Sequence, residues 1–133
     1  MIKKYLQFIT EEVYLTRDFG ITYQELEEIL FHITDEFPEL EFYVEDSLQS
    51  SLIEKDDNCF IVCFNHKGID FPYELPILHY IEPKIFELIE DVNLHLAAYG
   101  LHIYASDFGQ SDAYYELVVS KIGHTPKDIK RGW

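Results

Sequence analysis

The sequence lacks most of the features that announce a chemistry. No apolar run reaches the roughly 18 residues that a membrane-spanning helix requires. Met1-Ile2-Lys3-Lys4 carries two lysines, but Gln7, Glu11 and Glu12 interrupt the segment after them. That segment has neither the long apolar stretch nor the small-residue cleavage site of a secretory signal, so a cytoplasmic location is expected. Glycines are scattered singly and form no phosphate-cradling loop. Among His32, His66, His79, His95, His102 and His124 no pair has the i, i+4 spacing of a helical metal site, and no metal or other cofactor is expected. Cysteine is nearly absent. Cys59 and Cys63 sit in Cys59-Phe60-Ile61-Val62-Cys63, which reads as a strand, and residues four apart on a strand are about 13 Å apart. A disulfide needs Cα atoms within about 7 Å, so two buried free thiols are expected, in keeping with a reducing compartment. Cys63 and His66 face opposite sides of such a strand, and a thiol buried there is inert, which argues against cysteine catalysis.

Positive charge is also scarce. Lysine and arginine together number 10 against 25 acids, a net charge of −15. The imbalance is local: residues 22–57 hold twelve acids and one lysine, whereas 117–133 form a short basic tail with Lys121, Lys127, Lys130 and Arg131. Charge of this sign repels nucleic acid and anionic lipid and favours a basic protein partner. With 47% apolar and 16% aromatic residues, 133 residues suit one folded domain rather than a disordered chain.

The pattern along the chain is that of an α+β domain. Ile2, Tyr5, Leu6, Ile9 and Val13 recur at helical spacing, and Arg17-Asp18-Phe19-Gly20 reads as a turn. Thr22-Tyr23-Gln24-Glu25 is a capping box, with the stripe Leu26, Ile29, Leu30, Ile33 and Phe37 after it. Glu27, Glu28, Asp35 and Glu36 fall off that stripe and read as the solvated side of the helix, which Pro38 ends. Leu40–Asp46 alternates, with Leu40, Phe42 and Val44 on one side and Glu41, Tyr43 and Glu45 on the other, as in a strand with one wet face. After a polar connection over 47–58, Cys59–Asn65 is apolar on both faces, as in a central strand. An ordered loop is expected over 69–81, then a helix opened by Pro83 at its first position and capped by Gly100. Leu101–Ala105 and Ala113–Ser120 read as a hairpin around the loop Asp107–Asp112. The predicted architecture is a four-stranded, mostly antiparallel sheet with about three helices packed on one face, in the order ααββαββ, forming a single domain over 1–133 with 121–133 as its tail.

If the strands pair as expected, Glu41, Tyr43 and Glu45 share a face with His102, Tyr104, Tyr114 and Glu116. Tyrosines among carboxylates suit a partner rich in lysine and arginine. In size, acidity and lack of a catalytic motif, the whole chain resembles bacterial immunity proteins of the contact-dependent and polymorphic toxin systems. The resemblance implies a non-enzymatic binding protein that neutralises a cognate toxin domain of nuclease type, presenting carboxylates where phosphates would sit. The expected contact residues are Glu41, Tyr43, Glu45, Asp46, Asp56 and Asp57, with Asp107 and Asp112 secondary. Two alternatives stand beside this reading. One is a small enzyme or ligand-binding domain with a loop-built site of His79, His102, Asp107 and Asp112. The other is an adaptor subunit, such as a homodimer through a sheet edge.

Overall fold

The Thr22 hydroxyl and the Glu25 carboxylate settle where the first described helix begins. Glu25 N–H donates to Thr22 Oγ1 at 3.0 Å and Thr22 N–H donates to Glu25 Oε1 at 2.9 Å, so the box satisfies two N–H groups that helix geometry leaves without partners. A cap of this kind contributes about 1 kcal/mol. The structure, a computed structural model, describes residues 18–66, 78–107 and 114–129. The helix expected from Ile2 to Val13, the 69–81 loop up to residue 77, and the loop residue Asp112 lie outside those residues.

The described elements are α1 (Tyr23–Glu36), β1 (Leu40–Asp46), a 3-10 turn (Ser47–Gln49), β2 (Cys59–His66), α2 (Leu78–Leu96), a second 3-10 turn (Ala97–Tyr99), β3 (Leu101–Asp107) and β4 (Tyr114–Lys121). The strands form one antiparallel sheet in the order β1-β2-β4-β3. The fold is therefore α+β, with a four-stranded antiparallel sheet and two described helices. The all-apolar β2 lies inside the sheet, as its composition predicts, and β1 and β3 form the edges.

One helix boundary is corrected. Pro83 does not open α2, which begins at Leu78 and carries the proline in its second turn. The apolar spacing of Leu78, Ile81, Ile85 and Leu88 already runs at helical intervals through Pro83. A proline this near a helix start removes one backbone hydrogen bond without ending the helix. At the other end Gly100 takes the left-handed conformation (φ 72°) and closes the 3-10 turn into β3, as predicted. No helix among the described residues is long and apolar enough to cross a membrane.

Both faces of the sheet carry apolar clusters. On one face Leu26, Leu30 and Ile33 of α1 and Ile85, Val92 and Leu96 of α2 pack with Phe60, Val62 and Phe64 of β2 and Tyr115, Leu117 and Val119 of β4. Phe19 meets Phe60 edge-on at 4.9 Å, and Tyr23 stacks on Phe42 at 5.5 Å, which places the start of α1 over β1. On the opposite face Ile53, Cys59, Ile61, Cys63 and Val118 form a smaller cluster, with Tyr43, Leu52, Tyr104 and Ala105 packed against it. The alternation of β1 predicts that this face is wet, and the structure corrects that. The 47–58 connection and the C-terminal segment roof it through a bridge between Ile53 and Asp128 and through backbone bonds from Glu54 N to Lys127 O (3.0 Å), Ile129 N to Leu52 O (3.1 Å) and Lys121 N to Asn58 O (3.1 Å). A β-bulge between Ile103 and Ala105 turns both Tyr104 and Ala105 toward it.

Candidate functional site

Strand register fixes what this roofed face presents. Cys63 is paired with Tyr43 on one side and with Glu116 on the other, and Glu116 with Asp107. Ile61 is paired with Glu45 and Val118, and Asn65 with Glu41 and Tyr114. Cys59 is paired with Ser120, and Ser120 with His102. Directly paired residues share a face, so Glu41, Tyr43, Glu45, Glu116 and His102 stand on one side of the sheet.

Glu116 is the centre of this face and is only 2% exposed. A lone carboxylate within the apolar run of β4 requires donors, and the 50–51 pair supplies them. The Ser50 hydroxyl donates to Glu116 Oε1, the Ser51 hydroxyl donates to Oε2 at 3.0 Å, and Ser51 N–H reaches both oxygens at 3.2 and 3.3 Å. Ser50 Oγ in turn accepts from Leu52 N at 3.0 Å and Ile53 N at 3.1 Å, which shapes the connection that covers the face.

Glu45 is half-buried beside this network. Burial pushes its carboxyl above the usual range, the Cys63 thiol donating at 3.7 Å pulls it down, and the nearby Glu116 charge pushes it up again, with a net upward shift. The Cys63 thiol is strongly raised, by burial first and by the charges of Glu45 and Glu116 next. A thiol so placed is protonated at neutral pH and is no nucleophile.

The remaining predicted contact residues differ in how far they are free. Glu41 is exposed, and Tyr43 is half-buried against the apolar cluster. Asp46 is exposed but already engaged: it caps the 3-10 turn through Leu48 N (2.7 Å) and binds Lys55 at 3.0 Å. The Leu48 N–H lowers its carboxyl most, and Lys55 adds to that against the effect of burial. Asp57 is exposed and 3.6 Å from the same lysine. Asp56 is half-buried, with Oδ2 2.6 Å from His124 Nε2 and Oδ1 accepting from Asn58 N at 2.8 Å. Asp107 ends β3 rather than starting a loop.

The basic tail folds back onto this region. Besides His124 on Asp56, Lys127 pairs with Glu54 at 3.7 Å, and the Tyr104 hydroxyl donates to Asp128 at 2.8 Å. It thus neutralises part of the 54–57 turn.

Of the alternative loop-built site, His79 belongs to the first turn of α2 rather than to a loop. His102 is placed on the roofed face, and its buried Nε2 has no hydrogen-bond partner among the described residues. Sequence reasoning missed Ser50, Ser51 and His124. The one legible signal was Glu116 itself, a single charge amid Tyr115, Leu117, Val118 and Val119.

A second candidate lies between the helices. A shallow groove of about 510 Å³ is lined by Glu25, Glu28, His32, His95 and Tyr99 among others. The His32 and His95 rings are 4.8 Å apart between centroids, and the Tyr99 hydroxyl donates to Glu25 at 2.8 Å.

On the outward side of α1, Glu27, Glu28 and Asp35 make no ion pair among the described residues, and neither does Glu41 on β1. No protein-family model matches the chain, and no curated protein or solved structure gives a match.

Proposed function

We propose that this acidic domain is a binding protein that neutralises a basic protein partner, and that it acts as an immunity protein against a toxin domain of nuclease type. The observation that carries the reading is the acid of α1 and β1 that has no cation beside it among the described residues. Glu27, Glu28, Asp35 and Glu41 are exposed and have no cationic partner among the described residues, whereas in the 46–57 segment Asp46 and Asp57 are paired with Lys55, Glu54 is paired with Lys127, and Asp56 is hydrogen-bonded to His124. Phe31, 59% exposed, stands among those α1 acids, one turn from Glu27, Glu28 and Asp35. An exposed aromatic ringed by carboxylates combines an apolar anchor with electrostatic steering toward a basic surface.

On this reading α1 joins the strand-and-turn set as contact surface. Glu41 is exposed with no ion pair among the described residues, Asp46 and Asp57 are exposed but share Lys55, and Asp56 and Glu45 are half-buried and serve the surface indirectly.

The test is co-expression with the protein encoded directly upstream, then stopped-flow association of the purified pair. The expected result is rescue of growth and an association rate that falls as salt is added. It should fall again in Glu27→Lys/Glu28→Lys, with a loss of affinity of about 10-fold or more in Phe31→Ala. Failure of the pair to associate, or association indifferent to salt and to charge reversal on both α1 and β1, would falsify the proposal.

A further inference from the structure

We infer that Asp56, Cys59 and His124 form a binding site for a divalent transition-metal ion of the zinc class. One carboxylate oxygen of Asp56, the Cys59 sulfur and one ring nitrogen of His124 all lie within 4.8 Å of one another. Four ligands around zinc at about 2.0–2.3 Å stand about 3.3–3.8 Å apart, so three atoms this close need only small side-chain movements to share an ion. No edge of the triangle has to close by more than about 1 Å, and the Asp56–His124 edge, 2.6 Å in the present arrangement, opens by a little less.

Three separate parts of the chain supply these donors. Asp56 belongs to the 47–58 connection, Cys59 starts β2, and His124 lies in the segment after β4. Sequence spacing therefore does not reveal the cluster, since His124 is 68 residues from Asp56. Backbone and hydroxyl contacts hold the parts in place. Ser47 Oγ donates to Asp56 O at 2.9 Å and accepts from Asp56 N at 2.7 Å, Cys59 N donates to Asp56 O at 3.1 Å, and Lys121 N donates to Asn58 O at 3.1 Å. Asn58 N occupies Asp56 Oδ1 and leaves Oδ2 directed at His124, an outer contact of the kind that orients metal-binding carboxylates.

The Asp56–His124 hydrogen bond alone would need no sulfur beside it. A divalent ion bound at this point would use all three groups, displacing the thiol proton of Cys59 as it binds. Sulfur, imidazole and a single carboxylate suit zinc or cobalt(II), whereas calcium and magnesium require oxygen ligands. His124 and Asp56 are partly exposed on one side, which leaves an entry path and a fourth position for water. The bound ion would clamp the C-terminal segment to the sheet.

The experiment uses the full-length protein, stripped with a chelator and kept reduced by a phosphine, and titrates it with cobalt(II) and then zinc. The expected result is one equivalent of bound cobalt with thiolate-to-cobalt charge-transfer absorption, displaced by zinc, and a melting temperature raised by zinc. Cys59→Ser and His124→Ala should each weaken binding by about 100-fold or more, and Cys59→Ser should abolish the charge-transfer band. Cys63→Ser should retain both band and affinity. Absence of stoichiometric binding, a charge-transfer band that survives in Cys59→Ser, or one lost in Cys63→Ser overturns the inference. Should Cys59→Ser fail to fold, Asp56→Asn and His124→Ala carry the test, and unchanged affinity in both overturns it.

Discussion

Ser51 and Glu116 stand 65 positions apart in the chain, yet Ser51 donates both its N–H and its hydroxyl to the Glu116 carboxylate. Together with the Ser50 hydroxyl, these bonds attach the 47–58 connection to the middle of β4. The carboxylate is buried and Ser50 with it, so the network is stable only while every member is present. Glu116→Ala should therefore destabilise the fold by about 2–3 kcal/mol, since it strands the buried Ser50 hydroxyl and detaches Ser51 as well as opening space. Glu116→Gln, which keeps the shape and one acceptor, should lose less. Urea denaturation of the two variants against wild type measures the difference, and equal stability of all three would show that the network does not hold the roof.

The pairing of Asp56 with His124 predicts a pH dependence with a definite sign. Burial raises the Asp56 carboxyl, but the hydrogen bond from His124 and the Asn58 N–H outweigh it, and the net shift is downward. An unfolded aspartate titrates near about 3.9. The stabilisation is thus complete above that value and is lost as pH falls through the lower folded value. In chelated buffer Asp56→Asn should be less stable than wild type by about 1–2 kcal/mol at neutral pH, and the gap should close below about pH 4. A gap that widens on acidification would contradict the assignment.

How much of this is legible in the sequence depends on the range of each interaction. The Thr22–Glu25 box, the alternating Leu40–Asp46 strand, the doubly apolar Cys59 strand and the Gly100 cap rest on residues within a few positions of one another, and all are found where the pattern puts them. The start of α2 departs from the sequence reading because a proline signals a boundary, whereas the apolar spacing passes through Pro83. The covering of the second face is not legible, because it depends on contacts such as Ser51–Glu116 and Asp56–His124 that no local spacing encodes. Composition locates the acid, but which carboxylates stay free depends on where Lys55, His124 and Lys127 fold back.

Glu45 behaves oppositely to Asp56. Its net shift is upward, with burial the largest cause, so the folded state holds the proton more tightly than the unfolded chain. Its protonated form is favoured by folding below the unfolded value of about 4.3, and that contribution is lost as pH rises through the higher folded value. At neutral pH the buried charge is a net strain on the fold. Glu45→Gln should accordingly raise stability by roughly 0.5 kcal/mol at pH 7, with the advantage shrinking on acidification. Thermal unfolding of the two proteins at pH 7 and pH 4 distinguishes this from a simple surface substitution, which would show no such trend.

The two thiols differ in what covers them. Cys59 and Cys63 are 3% and 2% exposed, and burial raises both, so neither should react readily with a thiol reagent in the native protein. Reaction then proceeds through local opening, whose frequency depends on the contacts that must break. Cys59 lies beside the Asp56–His124 pair that fastens the C-terminal segment, whereas Cys63 lies between Tyr43 and Glu116, within the network that Ser50 and Ser51 close. In metal-free buffer His124→Ala should speed modification of Cys59 by about 10-fold while leaving Cys63 nearly unchanged, and Glu116→Gln should do the reverse; a factor of 10 corresponds to about 1.4 kcal/mol of opening free energy. Peptide mapping of partly alkylated protein reads the two sites separately. Equal acceleration of both cysteines in either variant would mean that the roof opens as one piece, and that the C-terminal segment and the 50–53 connection are not separate fastenings.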